Sequence, residues 1–522
     1  MRVKTVQINW HDKLPIFSVD FDHVYVNANA SQGGWRFATG GGDNNVRLWR
    51  LRTAQEREQL PHQPAVEFLA SLNRHTAPVN VVRFSPCSSK LASAGDDGVI
   101  IIWRQQIADP SDTAVRAPPA SLEGGGLEDD GFVEPEVWRP VAMLRGSLAD
   151  ICDLAWSPDG NFLVSASVDN TARVWDAREA RCLQVLAGHS HYVQGVAWDP
   201  LGEFIATQSS DRSLRVYRWV ASRDSREIKP GAEVVALLAT HYSMPLATTL
   251  PNEGDELEEE SALADGMEGV ELHSTKDLDN GPEKPTTETA AHPHPPIARS
   301  QRLFHDDNLA SFFRRPSISP DGRLLAAAAG VQRDRSARNT SYVWARDALH
   351  APPVLSLAGH AKPVVATRWA PCRFAAIKRT GDTPASDAWL ADDKDSRMML
   401  AVASQSSVAI YDTSMDGRAI GLMSGLHYAA ITDLSWTRDG SHMVLTSIDG
   451  FASVVSIDQP SAAIDIPAPL AEESDPASAV MGQCHEQLAN GGATVAQSQH
   501  HAASYSSSKG KKRMAPTFVS QL

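Results

Sequence analysis

Histidine and aspartate recur along this 522-residue chain at a fixed interval. His75 and Asp97 are 22 residues apart, as are His189 and Asp211, and His427 and Asp449. An aromatic follows two of these aspartates after 6 residues, Trp103 and Tyr217. A His–Asp pair is the orienting half of a nucleophilic triad, and imidazoles with carboxylates also hold metal ions. Either chemistry needs a single convergent constellation, whereas here the same pair returns with the same spacing. That is the mark of a repeated structural unit. With a strand Ser or Thr (Thr39, Ser93, Ser165, Thr207) and the Trp, the pair can form a buried hydrogen-bonded chain. Such a chain satisfies polar groups that would each cost about 1–3 kcal/mol if left alone. No catalytic constellation, metal site or cofactor site stands apart from the repeat.

The elements that position these residues follow from the copies. SLNRHTAPVNVVRFSPCSSKLASAGDDGVIIIW (71–103) and VLAGHSHYVQGVAWDPLGEFIATQSSDRSLRVY (185–217) share one order: His, an alternating strand, a Pro turn, a second strand, an Asp turn and a third strand. LRGSLADICDLAWSPDGNFLVSASVDNTARVW (144–175) keeps the register with Ser147 in the His place, then Asp169 and Trp175. A further copy runs from His427 through Asp449 to Val455. Degenerate copies end at Trp49, with Asp43 in its turn, and run from His305 to Trp344 and from His360 to Tyr411. That makes seven units. GGGDNN (40–45) precedes a strand rather than a helix, so it reads as a turn of the repeat and not as a phosphate cradle.

Four short strands make a blade that cannot bury both faces alone, and packing blades in a ring supplies the missing contacts. The expected fold is all-β, a seven-bladed β-propeller over residues 1–457. The N-terminal VKTVQINW is expected to supply the outer strand of the last blade, whose own unit runs out near Ile457. Residues 105–137 and 222–300 read as mostly disordered insertions and 458–522 as a disordered tail, because they are too poor in apolar groups to offset ordering.

Net charge is −15, and twelve carboxylates lie between Glu253 and Glu283. This balance argues against the chain wrapping nucleic acid, and no direct sequence-specific DNA binding is expected. Five cysteines at wide spacing suggest neither a disulfide framework nor a zinc site. No apolar run reaches the ~20 residues of a membrane helix, so no membrane partner is expected.

The repeat resembles the WD-repeat β-propeller family. Three stretches are more specific: MRVKTVQINWHDKLPIFSVDF at the start, AVEFLASLNRHTAPVNVVRFSP with the blades after it, and RLFHDDNLASFFRRPSISPDG (302–322). Together they resemble the family of WD-repeat middle subunits of chromatin assembly factor 1. The resemblance implies a non-catalytic, nuclear subunit of a histone chaperone complex that deposits newly made histones onto replicated or repaired DNA. It also implies the large and small subunits as partners, with core histones contacted within the complex. A replication-independent chaperone of the HIR family shares some of this propeller and is the nearer alternative. A substrate receptor of a cullin-type ubiquitin ligase is the other, resting on Trp175-Asp176-Ala177-Arg178.

Two segments stand out as candidate contacts. His305, Asp306, Asp307, Phe312, Phe313, Arg314 and Arg315 set both charge signs around an aromatic pair, as an exposed docking face would. Two adjacent phenylalanines cannot both point inward from one strand. The tail KGKKRMAPTFVSQL (509–522) carries Lys511, Lys512, Arg513, Met514, Pro516, Phe518 and Val519. In the resembling families, two basic residues, an aliphatic, any residue and Pro dock on the anti-silencing function histone chaperone, and residues 512–516 fit that motif. Physically, an extended segment adds to a sheet edge while its basic groups meet acidic surface. Lys509, Lys511, Lys512 and Arg513 also read as a nuclear import signal.

Overall fold

The computed structural model describes residues 1–24, 34–59, 62–87, 90–106, 135–147, 149–222, 228–229, 231–245, 300–309, 311–333, 337–375, 389, 396–415, 417–457, 463–464 and 518–519. Seven antiparallel sheets, each with a four-stranded blade, follow one another along the chain. The innermost strands are Ile16–Phe21, Val79–Phe84, Ile151–Trp156, Val193–Trp198, Ser317–Ile318, Val364–Trp369 and Ile431–Trp436. Three of them are buried at every position, their polar residues Asn80, Arg83, Gln194, Thr432 and Asp433 included.

The last blade closes through the start of the chain. Arg2–Val6 pairs antiparallel with Ala452–Ser456, from Arg2 opposite Ser456 to Val6 opposite Ala452. Val6 and Trp10 bury with Val444 and Val454 of this blade and with Phe21, Phe37 and Trp49 of the first, in one cluster. Similar clusters fill the spaces between other neighbouring blades. Each fully buried large apolar side chain contributes ~1.5–3 kcal/mol.

The stretches read as insertions include ordered residues at their borders. Gln105 and Gln106 end the strand Ile100–Gln106, and Val137 begins Val137–Leu144, both in the second blade. The outer strand of the fourth blade, Val235–His241, lies inside the stretch 222–300. Ser243–Pro245 and Ser300–Arg302 form a two-stranded sheet of their own. Within the region after 457, Ala463–Ile464 pairs with Arg373–Ala375. The remainder of 107–134, 246–299 and the tail lies outside the described residues. A six-residue helix, Ala54–Gln59, begins at a capping box: Thr53 Oγ1 accepts from Glu56 N at 3.2 Å and Glu56 Oε2 accepts from Thr53 N at 2.9 Å.

Candidate functional site

The recurring His, Asp and Trp sit where strand meets turn. In the second blade His75 Nδ1 is 2.8 Å from Asp97 Oδ2 and Nε2 is 2.7 Å from Ser93 Oγ, which accepts Trp103 Nε1–H at 2.8 Å. The fourth blade has His189 at 2.9 Å from Asp211 and 2.7 Å from Thr207, with Tyr217 in the Trp place. In the third, Ser165 accepts from Trp175 at 2.9 Å, Ser147 donates to Ser167, and Asp169 pairs with Arg173 at 2.7 Å. The seventh is incomplete. His427 meets Asp449 at 3.1 Å, but Leu445 stands where the second blade has Ser93, and Val455 where it has Trp103. Among the described residues His427 Nε2 is buried without a partner as a result. Each hydrogen-bonded chain is confined to its own blade. Among the described residues no group of His, Cys, Asp and Glu could hold a metal ion.

The first blade holds a chain that the spacing rule passes over. His11 Nδ1 is 2.6 Å from Asp43 Oδ1, its Nε2 is 2.8 Å from Thr39 Oγ1, and Trp49 Nε1 donates to the same hydroxyl at 2.8 Å. This pair is 32 residues apart rather than 22 because its blade has a longer connection between its first two strands.

Residues 303–316 form the site that the ring is built around. The segment leads into the innermost strand of the fifth blade and sits where the innermost strands of the other blades begin. Arg314 N donates to Gln194 O of the fourth blade at 3.1 Å, and Arg315 N to Val365 O of the sixth at 2.9 Å. Gly195 allows this approach, since a Cβ there would stand 2.0 Å from Arg314 O. Arg315 then reaches across the axis. Its guanidinium donates to Phe17 O (3.1 Å), Asn80 O (2.8 Å) and Thr432 O (2.9 Å), on the first, second and seventh blades. It also lies 3.1 Å from Asp433 and 3.4 Å from Asp153. Arg83 bridges the same two carboxylates at 2.9 and 3.1 Å, and Arg368 approaches Asp433 at 3.3 Å. Ser18 Oγ–H donates to Asp433 at 2.9 Å.

The electrostatics are those of a buried network. Burial pushes the Asp433 carboxyl up, but Arg315, Arg83 and Arg368 together overcome it and hold the group well below the ordinary carboxylate range. Burial lowers Arg315 to about 10, against the opposing pull of Asp433 and Asp153. Arg314 is lowered to about 10 by burial as well. Among the described residues it has no carboxylate in contact, and it donates to the carbonyls of His305 and Asp306.

The expected docking face therefore divides. Arg314 and Arg315 are fully buried, which corrects their reading as exposed groups. The charges looked like surface groups, yet the carboxylates and carbonyls of the channel replace water around them. Phe313 is 4% exposed and lies under the Arg315 guanidinium, 3.9 Å from ring centroid to carbon. Phe312 is 37% exposed and meets Phe313 edge-on. His305 Nε2 is 2.9 Å from Asn339 Oδ1 and is half-buried. Asp306 and Asp307 face Arg212 and His191 at the surface, at 3.5 and 3.9 Å. One signal in the sequence does place Arg315. Aligned on the turns SPDG (157–160), SPDG (319–322) and TRDG (437–440), Arg315 falls on the same rung as Asp153 and Asp433.

Of the tail residues, Phe518 and Val519 are described. They form a two-residue strand antiparallel to the outer strand of the sixth blade, with Val519 opposite Leu422 and Phe518 opposite Met423. Lys511, Lys512, Arg513, Met514 and Pro516 lie outside the described residues. In the Trp175–Arg178 motif, Trp175 and Asp176 are buried and Asp176 Oδ1 accepts the backbone N–H groups of Arg178 and Glu179.

Comparison with known proteins adds a lineage to this geometry. The family described as the CAF1B/HIR1 beta-propeller domain matches residues 1–236 and 273–461. The B-type subunit of chromatin assembly factor 1 in Gallus gallus is 35% identical over 88% of this chain and 68% of its own length. Its namesake in Schizosaccharomyces pombe is 34% identical over 99% of this chain and 100% of its own. Protein HIRA of Zea mays is 35% identical over 34% of this chain and 16% of its own length.

Proposed function

The chain belongs to the CAF1B/HIR1 β-propeller family, with B-type subunits of chromatin assembly factor 1 among its relatives, and on that premise we propose that it is a non-catalytic subunit of a histone chaperone complex. In this reading the complex works in the nucleus and places newly made histones 3 and 4 on replicated or repaired DNA. The propeller is the platform on which the large and small subunits assemble, and core histones are met within the complex. The observation that carries the reading is the end-to-end match to the Schizosaccharomyces pombe relative. HIRA of Zea mays and the HIR1 protein of Coccidioides immitis, the latter 24% identical over 83% of this chain, match only 16% and 34% of their own lengths, which favours this reading over a HIR-type one. The experiment is reconstitution. The full chain mixed with the two other subunits co-elutes with them, and the ternary complex assembles nucleosomes on replicating DNA. A chain that fails to co-elute overturns the proposal.

The tail is the second working part. Residues 512–516 dock on the anti-silencing function histone chaperone through basic groups and Pro516, with Phe518 and Val519 extending the contact as a strand. The pairing of Phe518 and Val519 with the sixth blade supports this, because it is the same mode of addition to a sheet edge. A peptide of residues 509–522 binds that chaperone, and Arg513→Ala and Pro516→Ala weaken it. A wild-type peptide that does not bind removes the assignment.

A further inference from the structure

Above the Arg315 cluster the channel opens into a cavity of about 290 Å³. Its apolar lining includes Phe17, Phe312, Ile431 and Ile448, and its polar groups include Asp96 and Asp150. Phe312 is 37% and Ile448 45% exposed, so among the described residues nothing covers this apolar surface. Ligand pockets span about 300–1,000 Å³, so this cavity lies at the small end of that range and has room for one long side chain.

The two carboxylates define which side chain. Among the described residues no basic group pairs with Asp96 or Asp150; Asp96 Oδ1 accepts only from the neutral Asn80 amide, at 2.6 Å. Burial and the nearby Asp96 charge push the Asp150 carboxyl up, a repulsion that an arriving cation relieves. The walls are also held rigidly. Arg315 clamps the carbonyls of Phe17, Asn80 and Thr432, three lining residues, and Gln194 Nε2 donates to Ser311 O and Phe312 O at 3.2 Å. A preformed pocket spares a ligand the cost of ordering its walls.

We propose that this channel mouth is a docking pocket for one lysine or arginine side chain on a segment of a partner protein. The apolar stem lies along Phe17, Phe312 and Ile448, and the cationic head meets Asp96 and Asp150. Arg315 is a positioning residue for the pocket and does not touch the ligand.

The choice of probe rests on the function proposed above. Short peptides tiled along histones 3 and 4 and along the two other subunits are tested against the full-length chain, by fluorescence polarisation. At least one peptide is expected to bind, to lose binding when one lysine or arginine becomes norleucine, and to weaken about tenfold against Asp96→Asn/Asp150→Asn. Phe312→Ala weakens the same peptide. The variants are checked for an unchanged unfolding midpoint, since Asp96 and Phe312 are exposed. If no peptide binds, or if the bound peptide ignores the double substitution, the pocket proposal is overturned. Co-elution of the wild-type chain with the two other subunits is measured in parallel. Assembly without peptide binding sinks the pocket alone, whereas failure to assemble sinks the functional reading.

Discussion

Arg315 and Asp433, 3.1 Å apart and both fully buried, join the approach to the fifth blade to the innermost strand of the seventh. The contact crosses the axis of the ring, so one guanidinium ties together strands that are remote in the chain. Removing one member of a buried pair leaves an uncompensated charge, which costs about 3–5 kcal/mol. Arg315→Met is therefore expected to lower the denaturant-derived stability by about that amount. Arg315→Lys should recover little of it, since an ammonium cannot span three carbonyls and two carboxylates. Denaturation curves of the two variants test this, and an Arg315→Met protein as stable as wild type would refute it.

Acid should weaken the fold before the carboxylates titrate. Burial lowers His360 from its ordinary 6.5 to about 4, and lowers His11, His241, His305 and His442 as well. Between those two pH values the unfolded chain binds a proton at residue 360 that the folded chain refuses. Stability present above pH 6.5 is thus lost as pH falls through about 4, by about 3 kcal/mol for His360 alone. Urea midpoints measured across this window should decline with falling pH, and His360→Phe should decline less steeply.

The repeat's histidines should not be equal. His75 is bonded at both nitrogens, whereas His427 Nε2 is buried with no partner among the described residues. Substituting leucine at position 75 is expected to cost about 1–2 kcal/mol more than at position 427. Equal losses in thermal unfolding would show that the hydroxyl contact to Ser93 contributes nothing.

Deleting residues 1–6 should open the seventh blade. The strand Ala452–Ser456 then presents bare N–H and C=O groups, and the cluster around Trp10 loses Val6. A lowered melting temperature and self-association on a sizing column are expected. Deleting residues 465–522 removes no strand from the seven four-stranded blades and should leave the melting temperature near that of the full chain.

The fold was legible because its polar markers recur at constant spacing. His75–Asp97 and His189–Asp211 announce blades regardless of what their strands contain. His11 escaped because the first blade's longer connection moves it 32 residues from Asp43. The outer strand Val235–His241 escaped because it sits at the edge of an acidic, turn-rich stretch that dilutes its alternation. At the candidate site, composition misleads most. Arginines preceded by phenylalanines and aspartates look like surface groups, and only the register of the turns places Arg315 level with Asp153 and Asp433. Burial of a charge depends on partners from other blades, and spacing within one repeat does not contain them.

The pairing of Arg2–Val6 with Ala452–Ser456 also sets a timetable. A ribosome adds about 5–20 residues each second, so the opening strand waits roughly 20–90 s before its mate leaves the exit tunnel. Throughout that interval Arg2–Val6 lacks the strand with which it completes the seventh blade, so ring closure follows synthesis of the last blade.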